Sequence, residues 1–290
     1  MPSPSWMSLY PFDPHWFEIA GDQMQYVDIG PRYAPVLLFV HGNPTWSFHW
    51  RSLLTALSDR FRCVAPDHLG CGLSDKPAKS FRLADRVDHL AALVEHLDLR
   101  RVTLVAQDWG GAIGLGAALR APQRFERIVL LNTGAFPPPK IPARIAVCRT
   151  PVLGRMAVQG LNLFSLAALQ MTLARRDGLD PLVAAAYVAP YDTWDHRRAV
   201  YDFVEDIPAG PGHPTWGVLQ QIEAGLPSLA DRPALLVWGM KDWCFAPWCL
   251  ERFLGHWPDA QAVRVADAGH WVLEDAPKEC LRAIEGFLAL

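Results

Sequence analysis

Apolar residues come along this chain in short, nearly unbroken runs, with longer amphipathic stretches between them. APVLLFV at 34–40, RCVAPD at 62–67, VTLVAQ at 102–107, RIVLLN at 127–132 and PALLVW at 233–238 are the clearest runs. Near-continuous runs of this length suit parallel strands buried on both faces. The stretches Leu83 to Leu97 and Ile113 to Arg120 carry helical spacing, so the pattern predicts the βαβ alternation of an open, doubly wound sheet. Ahead of it, HWFEIA and MQYVDIG flank a Gly-Asp turn and predict a hairpin. The rhythm lapses from about Gly134 to Leu226, where proline clusters, Ala/Leu-rich pieces and aromatic loops replace strands. That interval predicts a helical cap inserted between two strands. The chain then divides into a first core part at 1–133, a cap at 134–226 and a second core part at 227–290.

One junction in this layout carries chemistry. In VAQDWGGAIG a strand ends at Gln107, Asp108 stands at the tip, and a helix begins at Gly110 and Gly111. Small residues two before and two after the tip permit the sharp turn of a nucleophile elbow, which forces the tip side chain outward at the carboxyl end of the sheet. Further on, GMKD places Asp242 at a strand end, and AVRVADAGH places His270 on the next loop. Nucleophile, acid and base then follow in the chain order of an α/β-hydrolase triad. HGNPTW follows an earlier strand, so the N–H of Asn43 is expected in an oxyanion hole, together with the N–H of Trp109 after the nucleophile. An ordinary strand-helix junction with a capping Asp, and a stray surface His, would explain each piece alone; the four pieces in register favour catalysis.

The identity of the tip residue narrows the chemistry. A carboxylate that attacks an acyl carbon makes a reactive anhydride, whereas at a saturated carbon it makes a stable alkyl ester. The expected substrate therefore presents an sp³ electrophile. If turnover is hydrolytic, His270, oriented by Asp242, activates water against the ester on Asp108.

Composition removes other classes. The chain has 290 residues, 51% hydrophobic and 20% charged, enough for one large core. A formal net charge of −3 without a basic block gives no footprint for nucleic acid. The six cysteines show no CxxC spacing and read as reduced thiols of a cytoplasmic protein. The opening MPSPSWMSLYPFDPHW reads as no secretory signal, and Met156 to Ala174, broken by Gln159, Asn162 and Gln170, as an apolar helix rather than a membrane span. No metal cluster and no cofactor fingerprint is expected.

HGNPTWS, PDHLGCGLSDKP, QDWGG, GMKD and DAGHWVLED together resemble the haloalkane dehalogenases across essentially the whole core. The resemblance implies that Asn43 and Trp109 supply the side-chain donors that hold a departing halide. Some dehalogenases carry the triad acid as a Glu just after the sixth strand. Here that region reads LLNTGAF, with Asn132 and Thr133 and no carboxylate, which leaves Asp242 as the acid and resembles the third dehalogenase subfamily. The cap phrases LNTGAFPPPKIP, RTPVLG, VQGLNLFS, APYDTWDHR and FVEDIPAGPGHPTW resemble the olefin-biosynthesis β-lactone decarboxylases. That resemblance implies a cis-3,4-dialkyl β-lactone as substrate and a long-chain cis-alkene and carbon dioxide as products. It also implies a small lipophilic substrate, no cofactor, and assembly with other olefin-pathway enzymes.

Four readings stay open on the residues alone. The second is hydrolysis of haloalkanes to alcohol and halide, for which every residue is present. The third is an epoxide hydrolase, with Tyr187, Tyr191 and Tyr201 as candidate activating phenols. The last is a ligand receptor or inert scaffold on the same fold. Leu161, Leu163, Phe164, Leu166, Leu169 and Met171 either line a channel for alkyl chains or bury an ordinary cap face. Apolar surface there also leaves docking of partner proteins or peripheral membrane contact open.

Overall fold

The structure, a computed structural model, describes residues 5–19, 21–175 and 178–289; residues 1–4 of the opening stretch lie outside them. Eight strands, β1 (His15–Ile19), β2 (Asp22–Ile29), β3 (Val36–Val40), β4 (Arg62–Pro66), β5 (Val102–Asp108), β6 (Phe125–Thr133), β7 (Ala234–Gly239) and β8 (Gln261–Val265), form one sheet in the order β1-β2-β4-β3-β5-β6-β7-β8. The first two strands pair antiparallel, as expected of the hairpin, and β2 pairs antiparallel with β4. Every other pairing is parallel.

The five apolar runs coincide with β3 to β7, and the reason is visible in the packing. Leu38, Val40, Leu104, Ala106, Leu130 and Leu236 enter the core on one face of the sheet. Leu37, Phe39, Val105, Val129, Leu131 and Val237 enter it on the other. Alternate residues of a strand point to opposite faces, so a strand with both faces dry must be apolar throughout. The edge strand β8 is different. Three of its five residues are half-buried or better and two are exposed, which erases the continuous run and hides the strand in AVRVAD.

Helices cover both faces: α1 (Arg51–Leu57), α2 (Leu83–His96) and α3 (Trp109–Arg120) before β6, and α10 (Pro247–His256), α11 (Val272–Asp275) and α12 (Pro277–Leu288) around β8. Helix α3 starts at Trp109, one residue before the start that the elbow predicts and four before the amphipathic stretch at Ile113. It is buried on all sides from Gly110 to Ala118, so its first turn has no polar face to reveal the period. Between β6 and β7 the described residues hold helices and no strand: α4 (Ala143–Ala146), α5 (Leu153–Arg155), α6 (Leu163–Met171), α7 (Pro181–Val188), α8 (Arg198–Glu205) and α9 (Pro214–Gly225). Trp46 Nε1 donates to the Ala186 carbonyl at 3.1 Å, Tyr191 Oη to the Thr45 carbonyl at 3.2 Å and Asn43 Nδ2 to the Val200 carbonyl at 3.1 Å. These bonds tie that helical segment to the loop that follows β3. No helix among the described residues is long and apolar enough to cross a membrane.

Neighbours β3 and β5 have β4 and β6 on their outer sides, so the chain leaves the centre of the sheet in opposite directions. At such a switch point the loops beyond the carboxyl ends diverge and open a crevice. The loop 41–43 and Asp108 both stand there.

Candidate active site

Asp108 closes β5 with φ +55° and ψ −133°, a conformation that an L-residue adopts only under strain. The close approach of chains around it explains the glycines. A Cβ at Gly42 would overlap the Asp108 carboxylate, and one at Gly110 would overlap the Val40 carbonyl. The Asn43 backbone N–H donates to Asp108 Oδ1 at 2.7 Å. The other carboxylate oxygen, Oδ2, lies 3.4 Å from His270 Nε2. His270 Nδ1 bonds Asp242 Oδ2 at 2.8 Å, and both side chains are buried. The five residues singled out in the sequence therefore converge: Asp108, His270 and Asp242 in one chain of contacts, with Asn43 and Trp109 beside Asp108 on the wall of the same cavity.

Asp242 is fully partnered. Its Oδ1 accepts the N–H groups of Cys244 (2.6 Å) and Phe245 (3.1 Å), and its Oδ2 accepts Asn132 Nδ2 at 2.9 Å as well as the imidazole. Asn132 does more than bond Asp242. Its amide also donates to the Gly239 carbonyl (3.1 Å) and accepts the Gly239 N–H (2.7 Å), clipping the ends of β6 and β7 together beneath Asp242. In the sequence Asn132 stands out only as the absence of a carboxylate. The signal was its position at a strand end next to that of the acid. Gln107, also passed over, donates to the His270 carbonyl at 3.1 Å and lies 3.3 Å from the ring Nε2. Phe245 stacks on the imidazole at 5.5 Å.

Burial alone would drive the proton off His270, but the carboxylates of Asp242 and Asp108 outweigh it and push its pKa up to about 10. At neutral pH the ring is thus an imidazolium held between two carboxylates. An unfolded histidine titrates near its ordinary value of 6.5. The stabilisation from this proton is therefore complete below about pH 6.5 and is lost as pH rises through about 10. The melting temperature is expected to fall between pH 7 and 10, and to fall less steeply in His270→Gln. The buried thiols of Cys63 and Cys280, each pushed up to about 12, add their own alkaline loss in both proteins. The difference between the two melting curves therefore isolates His270, and identical slopes would refute the assignment.

The loop before Asp108's partner is held by neutral histidines. His41 donates from Nδ1 to the Gly42 carbonyl (2.8 Å) and accepts the His68 N–H at Nε2 (3.0 Å), while burial lowers its pKa to about 3. His68 Nε2 bonds back to the His41 carbonyl at 3.0 Å. Thus His68 in DHLGCGLSD shapes the turn carrying Asn43. Asn43 uses one N–H of its amide on Val200 and leaves its buried Oδ1 without a partner. The second N–H of that amide can serve a ligand. Trp109 packs against Phe203 at 5.6 Å, and Phe203 in turn lies under the buried Arg86 guanidinium at 3.7 Å.

Beyond these groups lies a cavity of about 730 Å³. Its wall is mainly apolar, with Leu163, Phe164 and Met171 of α6 among the contributors. Leu169 instead packs into the core, and Leu161 and Leu166 face outward. None of the three tyrosines considered for epoxide activation lines the cavity. Tyr187 bonds Glu274 and His49, and Tyr191 bonds the Thr45 carbonyl. Among the described residues no group of His, Cys, Asp or Glu side chains is arranged to hold a metal ion.

A family profile described as alpha/beta hydrolase fold matches residues 35–152 and 158–277. The chain belongs to this family and is an enzyme of that fold. Within the family it is 41% identical to a protein from Shewanella oneidensis named cis-3-alkyl-4-alkyloxetan-2-one decarboxylase, over 97% of this chain and 90% of that one. It is 34% identical to haloalkane dehalogenase 2 of Mycobacterium tuberculosis, over 95% of each chain. The crystal structure of haloalkane dehalogenase DbeA from Bradyrhizobium elkani superposes with a TM-score of 0.88 at 29% identity, covering 96% of this chain and 98% of that one.

Proposed function

We propose that this enzyme is a β-lactone decarboxylase that converts cis-3,4-dialkyl β-lactones into cis-alkenes and carbon dioxide. The observation that carries the reading is the 41% identity, over nearly the full chain, to a protein named for decarboxylation of a cis-3-alkyl-4-alkyloxetan-2-one. The site tolerates the chemistry. The ring carbon bearing oxygen is a strained sp³ electrophile, and its leaving group is a carboxylate.

In this reading Asp108 attacks that carbon with inversion and the ring C–O bond breaks, which frees a carboxylate on the neighbouring carbon. Asn43 and Trp109 receive that carboxylate where a dehalogenase would receive halide. The C–C bond to the carboxylate then breaks, its electron pair forms the alkene, and Asp108 departs while carbon dioxide leaves. Inversion followed by anti fragmentation amounts to syn loss, so a cis-lactone gives a cis-alkene. No water is consumed. Attack at the lactone carbonyl, through a mixed anhydride, is the alternative route at the same site. Residues 134–226 act as a cap over the cavity, whose apolar wall takes the two alkyl chains.

Hydrolytic dehalogenation is the second reading, favoured by the 34% identity to a haloalkane dehalogenase and by the same Asp108, His270 and Asp242 geometry. Purified protein offered a cis-3,4-dialkyl β-lactone and, in parallel, 1-bromobutane separates the two. The expected result is alkene by gas chromatography with slow or no bromide release. Brisk bromide release without alkene would overturn the decarboxylase reading.

A further inference from the structure

Between residues 140 and 175 the sequence carries five basic residues and no acidic one, in a chain whose formal net charge is −3. The same segment holds eight of the fifteen large apolar side chains that stand exposed among the described residues, all within 147–171. Val152 and Leu153 are each 74% exposed, Val147 67% and Met156 49%. They sit on short adjoining helices. The backbone at Gly154 in α5 approaches the Cys148 carbonyl too closely to admit a Cβ, which keeps the turn after α4 and α5 in one surface. Lys140, Arg144 and Arg155 are exposed around these apolar tips. Arg144 stands over the Trp243 ring at 5.0 Å and Arg155 over the Trp194 ring at 5.5 Å.

The patch is continuous with the cavity: Lys140, Arg144, Val147, Leu163 and Met171 belong to both. Apolar side chains flanked by cations, with indoles beside the guanidinium groups, are what a protein face needs to sit at the boundary between headgroups and acyl chains. Each cation near an anionic leaflet adds to the attraction, which fades within a Debye length of the surface. A second copy of this chain would bring the same cations face to face, and their repulsion argues against that occupant.

We propose that the face formed by α4, α5 and α6 docks on a bilayer surface carrying anionic phospholipid, with the cavity rim turned toward the lipid. The proposal rests partly on the lipophilic substrate proposed above, because a substrate with two alkyl chains resides in membrane rather than water. Its recognition chemistry is an anionic headgroup plane over hydrocarbon.

The test is co-sedimentation of the full chain with vesicles of phosphatidylcholine alone and of phosphatidylcholine mixed with phosphatidylglycerol. Binding to the mixed vesicles is expected to be at least ~10-fold tighter and to weaken as salt is raised. The double variant Val152→Ser/Leu153→Ser and the single variant Arg155→Glu are each expected to lose at least ~5-fold of that binding. None of the three residues lines the cavity, so turnover of a short, water-soluble substrate is expected to stay unchanged in both variants; the melting temperature is expected to stay unchanged in the double variant, whereas Arg155→Glu also loses the bond to Gln159 Oε1 and is expected to melt somewhat lower. Equal binding to both vesicles, or none at low salt, would overturn the proposal. So would a concentration-dependent dimer that the double variant abolishes in the absence of vesicle binding, because the face would then belong to a second copy. Sedimentation does not depend on turnover, so this result and the lactone assay fail or succeed separately.

Discussion

Asp108→Ala is expected to abolish alkene formation from the β-lactone, with kcat lower by a factor on the order of 10⁴–10⁶. The size of the loss follows from the arrangement. The carboxylate is the one nucleophile that β5 presents to the cavity, its Oδ1 is already fixed by the Asn43 N–H, and Oδ2 faces the imidazolium. The thiols of Cys148, Cys244 and Cys249 on the same wall are kept protonated by burial, which raises their pKa, and His270 is held as a cation between two carboxylates. Gas chromatography of the alkene reads the activity. Asp108→Gly serves as a companion. Neither variant carries a carboxylate, so both are expected to be inactive. At φ +55° glycine avoids the strain that alanine bears, and Asp108→Gly is expected to be more stable than Asp108→Ala by about 1 kcal/mol, read by denaturant melts. Residual alkene in Asp108→Ala above about one part in a hundred would show that the lactone opens without this nucleophile.

The legible and illegible parts of this molecule divide along physical lines. The central strands could be read because a strand dry on both faces has no choice of composition, and the triad could be read because chain order and strand ends fix its three positions. The edge strand β8 could not, since its solvent side mixes polar with apolar residues. Nor could the supporting side chains. Asn132 and Gln107 are ordinary polar residues at strand ends, and only the fold shows that one clips β6 to β7 under Asp242 while the other bonds the loop of His270. The channel residues were half legible. Helical spacing marks Leu163, Phe164 and Leu166 alike as apolar, but which of them faces the cavity depends on how α6 rotates against the core. The epoxide reading failed for the same reason: three tyrosines near in sequence point their hydroxyls elsewhere or stand away from the cavity.

His270→Ala is expected to divide the two substrates. Whatever bromide the variant releases from 1-bromobutane is expected to stop at one equivalent, leaving a butyl ester on Asp108 that peptide mass spectrometry detects, because no base remains to activate water. With the lactone it is expected to keep turning over, slowed by roughly 10–10³-fold, since fragmentation consumes no water and expels Asp108 directly. The slowing comes from charge. Without the imidazolium, Asp108 and Asp242 face the same small volume with no cation between them. The same charges raise the pKa of His270 to about 10. A ring that holds its proton at neutral pH is poorly suited to accept one from water while Asp108 is ionised, and well suited to balance charge. Esterification of Asp108 removes one of the two carboxylates that hold the proton, so a base role becomes available only after the first step, which is where dehalogenation needs it and decarboxylation does not. A lactone-derived ester that accumulates on Asp108 in His270→Ala, with alkene lost as completely as in Asp108→Ala, would show that water activation is needed and would overturn the fragmentation route. An adduct derived only from an anhydride would move the point of attack to the lactone carbonyl.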